Sequence, residues 1–206
     1  MKRYNKNLDL LKKNHVYSEE MEHDACGVGL IASTEGKKSR KVVEYGIEAL
    51  KAVWHRGAVD ADGKTGDGAG IHVEIPKDFF IEKIEVTGHF HDNSEICVGM
   101  IFLPRNDYSA QESCKTIVES ELTKNNFSIY GWRQVPVNPK VLGEKALQTM
   151  PEIIQVLFKS NDPDLLNKEL ERKIYETRRK IENQAFKISL NNFYICSLSS
   201  KSIIYK

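Results

Sequence analysis

The chain has 206 residues, with 40% hydrophobic and 29% charged residues and a formal net charge of +1 at pH 7, the make-up of a globular protein long enough to bury a substantial core in one domain. So nearly neutral a chain has no long-range attraction for a nucleic acid or an anionic membrane, and neither partner is implied. Its four cysteines, Cys26, Cys97, Cys114 and Cys196, are far apart and never paired as C-x-x-C, which excludes a zinc knuckle and a dense disulfide framework and fits a reducing cytoplasm.

Residues 1–25 read as a polar leader. They mix Lys, Arg and Asn around a Leu8-Asp9-Leu10-Leu11 cluster that is too short and too polar for a signal-peptide core or a membrane span. Residues 26–32, Cys26-Gly27-Val28-Gly29-Leu30-Ile31-Ala32, predict a strand headed by a thiol, with two glycines that leave little bulk beside the sulfur. Standing alone, a cysteine in this place reads as an ordinary buried thiol. A charged turn over 33–38 follows, and Val42, Val43, Gly46, Ile47, Leu50 and Val53 recur at helical spacing, so a helix is expected up to Trp54-His55-Arg56-Gly57, with Gly57 as its cap.

The glycine-dense stretch 62–70 leads into Ile71-His72-Val73-Glu74-Ile75, which alternates like a half-buried strand. A loop that cradles phosphate feeds a helix whose amides face the anion; this one feeds a strand, so nucleotide binding is not indicated. Further strands are expected over 96–103, closed by Pro104, within 127–137, and over 153–158. Helices are expected over 109–124 and after Asp162-Pro163-Asp164, the latter with Leu166, Leu170, Ile174 and Ile181 on one face and Arg178-Arg179-Lys180 on a solvated one. Residues 193–198 and 202–205 read as a terminal pair of strands joined by a turn at Ser199-Ser200-Lys201. Cys97, Cys114 and Cys196 fall in apolar or helical contexts and read as core thiols. His89, His91 and Asp92 are three potential metal ligands without a fourth nearby, and read as a solvated loop; no metal is expected.

Three ordered stretches, Glu22-His23-Asp24-Ala25-Cys26-Gly27-Val28-Gly29, His55-Arg56-Gly57-Ala58 and Thr65-Gly66-Asp67-Gly68-Ala69-Gly70, resemble the start of the large subunit of the glutamate synthases. The first domain of that family is a class-II glutamine amidotransferase of the N-terminal-nucleophile hydrolase fold. Gly131-Trp132-Arg133-Gln134-Val135-Pro136-Val137-Asn138 and Phe193-Tyr194-Ile195-Cys196-Ser197-Leu198-Ser199-Ser200 are similar to it as well, so the resemblance spans nearly the whole chain. It implies an α+β fold, an αββα sandwich of which only part is present, with residues 1–25 a propeptide-like leader and residues 26–206 the N-terminal portion of the amidotransferase domain.

The resemblance also implies a chemistry. Cleavage after Ala25 frees the α-amino group of Cys26, which serves as the base for its own thiol, and Cys26 attacks the side-chain amide of glutamine to release ammonia through a glutamyl thioester. Arg56 is implied as a site-ordering residue, suited by its planar, permanently charged fork; on the residues alone it is equally a cation at a helix end. His55 stays open between a site role and a structural one. Asp67 and its glycines are expected to shape the wall beside Cys26, without proton transfer. The residues that bind substrate, including an oxyanion-hole donor worth about 10²–10³ in turnover, are expected beyond Lys206, so the chain alone is expected to be nearly inactive.

No cofactor is expected in this chain: in the resembled enzymes FMN and an iron–sulfur cluster belong to regions absent here. The expected partners are glutamine and the remaining glutamate synthase domains or a complementary chain, with the ammonia going to glutamate synthesis from 2-oxoglutarate. Two alternatives stand beside this reading: a non-catalytic fragment or assembly subunit completed by a separate chain, and another amide hydrolase of the same fold. The matches at 131–138 and 193–200 favour glutamate synthase over the second.

Overall fold

The computed structural model of the chain describes residues 2–14, 27–92 and 94–206. In chain order the elements are α1 (Lys2–Lys13), α2 (Arg40–Ala52), a 3-10 turn (Trp54–Arg56), β1 (Ile71–Glu74), α3 (Lys77–Val86), β2 (Cys97–Leu103), α4 (Tyr108–Lys124), β3 (Phe127–Gln134), a second 3-10 turn (Pro139–Val141), α5 (Glu144–Thr149), β4 (Glu152–Ser160), α6 (Asn167–Lys187), β5 (Tyr194–Ser199) and β6 (Ser202–Tyr205).

The run Cys97-Val98-Gly99-Met100-Ile101-Phe102-Leu103 is apolar at every position, as a strand covered on both faces has to be. It forms one of the two interior strands, with β4, of a four-stranded antiparallel sheet in the order β3-β4-β2-β5. Alternation along β2 and β4 divides the core in two. Ile101, Leu103, Val156 and Phe158 join Val118 and Leu122 of α4 and Leu170, Ile174 and Ile181 of α6 in one cluster. Val98, Met100 and Leu157 join Phe80 and Ile84 of α3 and Ile203 of β6 in the other. At about 1.5–3 kcal/mol for each large side chain fully buried, these clusters are the main stabilising terms of the fold. The second sheet has only β1 and β6, antiparallel, with Ile71 opposite Tyr205 and Glu74 opposite Ser202. Helix α2 lies against β1, so the layers run α4 and α6, four-stranded sheet, two-stranded sheet, α2. This is the α+β layering expected for the N-terminal-nucleophile hydrolases.

Helix ends follow local chemistry. Asp107 caps α4 by accepting from the Ala110 amide at 2.9 Å, and Ser39 caps α2 by accepting from Val42 at 3.4 Å. Such caps contribute about 1 kcal/mol each. Helix α2 buries none of its side chains, so it lacks the apolar anchorage of α4 and α6.

Besides the unforeseen helices α3 and α5, the structure departs from the sequence expectations at six places. Residues 27–33 form no strand: Val28 and Leu30 are 91% and 90% exposed, because among the described residues no strand lies beside them to complete a hydrogen-bond ladder. Part of the polar leader is helical, as α1. Helix α2 ends at Val53 rather than at Gly57; the chain then makes the 3-10 turn, and Gly57 is extended (φ −86°, ψ 157°) instead of left-handed. Strand β3 stops at Gln134. Strands β5 and β6 do not pair with each other: the Ser200-Lys201 corner carries the chain from one sheet to the other. Glu171 of α6 fixes that corner, accepting from the Ser200 amide and hydroxyl, both at 2.7 Å, and from the Ser199 hydroxyl at 2.9 Å. Finally, Arg178 is not on a solvated face. Its spacing from Ile174 and Ile181 turns it toward β5, where Nη2 donates to the Ile195 carbonyl at 2.7 Å while Nε donates to Glu182 at 2.8 Å.

A bulge in β5 explains how the sheets are stitched. The register against β2 shifts between Met100 and Ile101, leaving Cys196 without a partner, and adjacent Cys196 and Ser197 both reach β6. The Ser197 hydroxyl accepts from the Ile204 amide at 3.2 Å, and the Cys196 thiol donates to the Ile204 carbonyl at 3.6 Å. Cys97, Cys114 and Cys196 are all free and buried, as core thiols should be. Burial pushes the Cys114 thiol up to about 11 and raises those of Cys97 and Cys196 as well, so none of the three is a ready nucleophile.

Candidate active site

Two of the sequence motifs meet in space. After α2 the 3-10 turn brings His55 and Arg56 to the start of a tight loop, closed when the Gly57 amide donates to the Trp54 carbonyl at 3.0 Å. The Ala58 amide, last residue of His-Arg-Gly-Ala, then donates to Asp67 Oδ2 at 2.8 Å. Val59 and Gly66 form an antiparallel bridge, and the Asp60 amide donates to the Thr65 carbonyl at 2.8 Å. The stretch 57–67 is therefore one hairpin-like loop, with Asp67 as the pin between the two motifs. An exposed carboxylate engaged with a backbone amide is an acceptor in a structural role.

His55 is oriented by the end of α2, where Nδ1 lies 3.2 Å from the Ala52 carbonyl, and this favours the structural reading. Arg56 occupies the last position of the 3-10 turn; its side chain lies outside what is described. Cys26 and Ala25 also lie outside the described residues, so the structure fixes the Arg56 backbone and the loop but not the approach of the thiol. Gly29 has open space around it, with nothing within 4 Å of where a Cβ would stand.

A third segment holds the loop from behind, one that sequence reasoning missed. Asp62 Oδ1 accepts from the Lys64 amide at 2.9 Å and the Thr65 amide at 2.7 Å, and Oδ2 accepts from the Thr65 hydroxyl at 2.6 Å. Lys145 of α5 reaches Asp60 at 2.6 Å. Gly143, just before α5, is pressed onto this loop: a Cβ there would run into the Asp62 carboxylate and the Thr65 hydroxyl and stand 2.5 Å from the Thr65 backbone nitrogen. The Thr65 hydroxyl first, and then the amides, hold the Asp62 carboxyl well below the usual carboxylate range. A glycine before a short amphipathic stretch, Gly143-Glu144-Lys145-Ala146-Leu147, is the one local signal that a helix starts there; its partner loop is not visible from sequence.

The His89, His91 and Asp92 cluster is spoken for by protein. His89 Nδ1 lies 3.0 Å from the Thr87 hydroxyl and His91 Nε2 lies 3.1 Å from the Ser94 carbonyl. Asp92 pairs with Lys159 and accepts from the Tyr130 hydroxyl at 3.4 Å. Among the described residues no group of three or more His, Cys, Asp or Glu is placed to hold a metal ion, and no helix is long and apolar enough to cross a membrane. Val137 and Asn138, from the end of the Gly131 motif, line a groove of about 370 Å³ with Phe102, Leu142, Met150 and Ile153. A larger cavity of about 720 Å³ opens between Glu171 and Lys201, but no residue of the His-Arg-Gly or glycine-rich motifs lines it.

Comparison with known proteins accounts for this pairing of motifs. The chain is 53% identical over 200 residues to the "Glutamate synthase [NADPH] large chain" of Azospirillum brasilense, an alignment covering 97% of this chain and 13% of that one. It is 40% identical over 204 residues to the "Ferredoxin-dependent glutamate synthase" of Pyropia yezoensis, covering 96% and 13%, and 38% identical over 188 residues to the chloroplastic ferredoxin-dependent enzyme of Spinacia oleracea, covering 90% and 11%. The chain thus spans about an eighth of the length of these relatives. The profile of the family "Glutamine amidotransferases class-II" matches residues 26–206, beginning at Cys26, and with both hallmark loops joined in one α+β fold, the chain belongs to the class-II glutamine amidotransferases.

Proposed function

We propose that this chain carries the glutamine-hydrolysing site of a glutamate synthase, with Cys26 as an N-terminal nucleophile. The observation that carries the reading is the pin between Asp67 and Ala58, which holds the Arg56 turn and the glycine-rich loop as one wall, in a chain whose family match opens at Cys26. Cleavage after Ala25 separates the leader, residues 1–25, from the amidotransferase portion, residues 26–206. The freed α-amine, with an ordinary value of about 7.7–8.0, is unprotonated in roughly a tenth to a sixth of molecules at pH 7 and takes the thiol proton as sulfur attacks the amide carbon of glutamine. The tetrahedral intermediate collapses with transfer of that proton to the leaving nitrogen, giving ammonia and a γ-glutamyl thioester. Water, deprotonated by the same amine, then attacks the thioester, and glutamate and the thiol are restored. Arg56 keeps the nucleophile end of the site in order.

The ammonia passes to other regions or chains of the larger enzyme, where it serves glutamate synthesis from 2-oxoglutarate. FMN and an iron–sulfur cluster belong to those regions. The residues described here do not fit an iron–sulfur cluster: Cys97 and Cys114 lie in one core cluster and Cys196 in the other, each engaged in packing. No step is routed through either group. The three buried free thiols suit the reducing cytoplasm.

The test is covalent capture. Incubated with 6-diazo-5-oxonorleucine, the processed full-length enzyme is expected to take up one equivalent at Cys26, and glutamine, but not asparagine, is expected to protect it. A processed full-length enzyme that takes up none there, or one that glutamine does not protect, contradicts the proposal.

A further inference from the structure

We propose that Asp62 is a positioning residue for the attack on glutamine: by clasping Thr65 where Gly143, just before α5, packs against both, it sets the loop 57–67 and so the place of the Arg56 turn beside the thiol. The inference rests on the function proposed above and adds to it a residue outside all the matched motifs. Its warrant is an unbroken chain of contacts. Asp62 binds the Thr65 amide and hydroxyl; the Thr65 carbonyl binds Asp60, and Gly66 bridges Val59; Asp67 binds the Ala58 amide, two residues after Arg56. At the other end, the Lys145–Asp60 ion pair fastens the loop to α5, and Gly143 lets the backbones approach where any side chain collides. Without the clasp the loop is held by the end of α2, a helix that buries no side chain, by its run into β1 and by the exposed Lys145–Asp60 ion pair. Surface loops with so few apolar anchors open locally at low cost, and a 1 Å displacement of a positioned group can cost about a hundredfold in rate.

The experiment compares wild type, Asp62→Asn, Thr65→Val and Thr65→Ser in the processed full-length enzyme, in two readouts. The first is the rate of capture by 6-diazo-5-oxonorleucine, resolved into its saturating rate and its half-saturating concentration and normalised to the folded fraction. Asp62→Asn and Thr65→Val are expected to lower the saturating rate by about ten- to a hundredfold with the half-saturating concentration within about twofold, and Thr65→Ser, which restores the hydroxyl, is expected to recover it. The second is hydrogen exchange at the Ala58 amide, expected to quicken by about tenfold or more in the same two variants and not in Thr65→Ser. Capture and Ala58 exchange both within about twofold of wild type in Thr65→Val overturn the inference, whether or not Asp62→Asn folds. Quickened exchange with unchanged capture overturns it too, since the clasp then has no bearing on attack. A wild type that is not captured refutes the glutamine-hydrolase reading and this role with it, whatever the exchange data show of the clasp.

Discussion

Cys26→Ala, made in the chain without residues 1–25, is expected to lose capture by 6-diazo-5-oxonorleucine by about 10⁴-fold or more, down to background, because removing a covalent nucleophile deletes the reacting atom rather than weakening its environment. The effect is expected to be confined to chemistry. Neither hydrophobic cluster draws on residues 27–33, so the variant should melt with wild type, and no other described cysteine can substitute. Cys97 and Cys114 are fully buried, Cys196 nearly so, and burial raises all three thiols, which disfavours the thiolate. The check is mass spectrometry of the captured protein and its peptides. Capture at the wild-type rate in Cys26→Ala, or an adduct on any of the other three, removes Cys26 from the mechanism.

The largest effect on stability is expected at Gly99, in the middle of β2. Its Cβ position is 2.6 Å from Leu198 Cδ1 and 2.6 Å from Val156 Cγ1, both in the cluster covered by α4 and α6. Val156 is fully buried and β-branched, so it has little freedom to turn away. Overpacking of this kind costs about 1–3 kcal/mol for modest additions, and Gly→Ala recovers only about 0.4–1 kcal/mol from the unfolded chain. Gly99→Val adds two further methyls to the same closed space and is expected to destabilise by about 3 kcal/mol or more, read as a lower urea midpoint at unchanged slope. A loss under about 0.5 kcal/mol contradicts the packing described for the sheet centre.

What could be read from the sequence was set by how local its cause is. Strand β2 and helices α4 and α6 follow from unbroken apolar runs and 3.6-residue periodicity. Leu170, Ile174 and Ile181 are all fully inaccessible, as the predicted face requires, whereas Leu166, placed on the same face, precedes the helix as its N-cap and is exposed. Helix α3 was missed because only Phe80 and Ile84 are buried on it, one pair rather than a stripe. The separation of β5 and β6 into different sheets escaped because a two-residue corner looks like a hairpin until Glu171, distant in sequence, is seen to hold it. The strand expected at 26–32 has the right residues and no neighbour among those described, since a strand is made by its partner as much as by its own pattern. The site shows the same division. His-Arg-Gly and the glycine-rich loop are legible as motifs, but their junction through Asp67 is not. The contact of the Asp60–Thr65 loop with Gly143 and Lys145 is non-local and polar, of a kind that no periodicity announces.

The most direct measurement of the central claim is the intact mass of the chain after capture, followed by sequencing of its N-terminal peptide. The account predicts a mass that lacks residues 1–25 and carries one adduct, on a cysteine that is itself the first residue with a free α-amine. An adduct-bearing, glutamine-protected chain that still begins at Met1 would contradict it, because the base assigned to the attack would then be locked in a peptide bond.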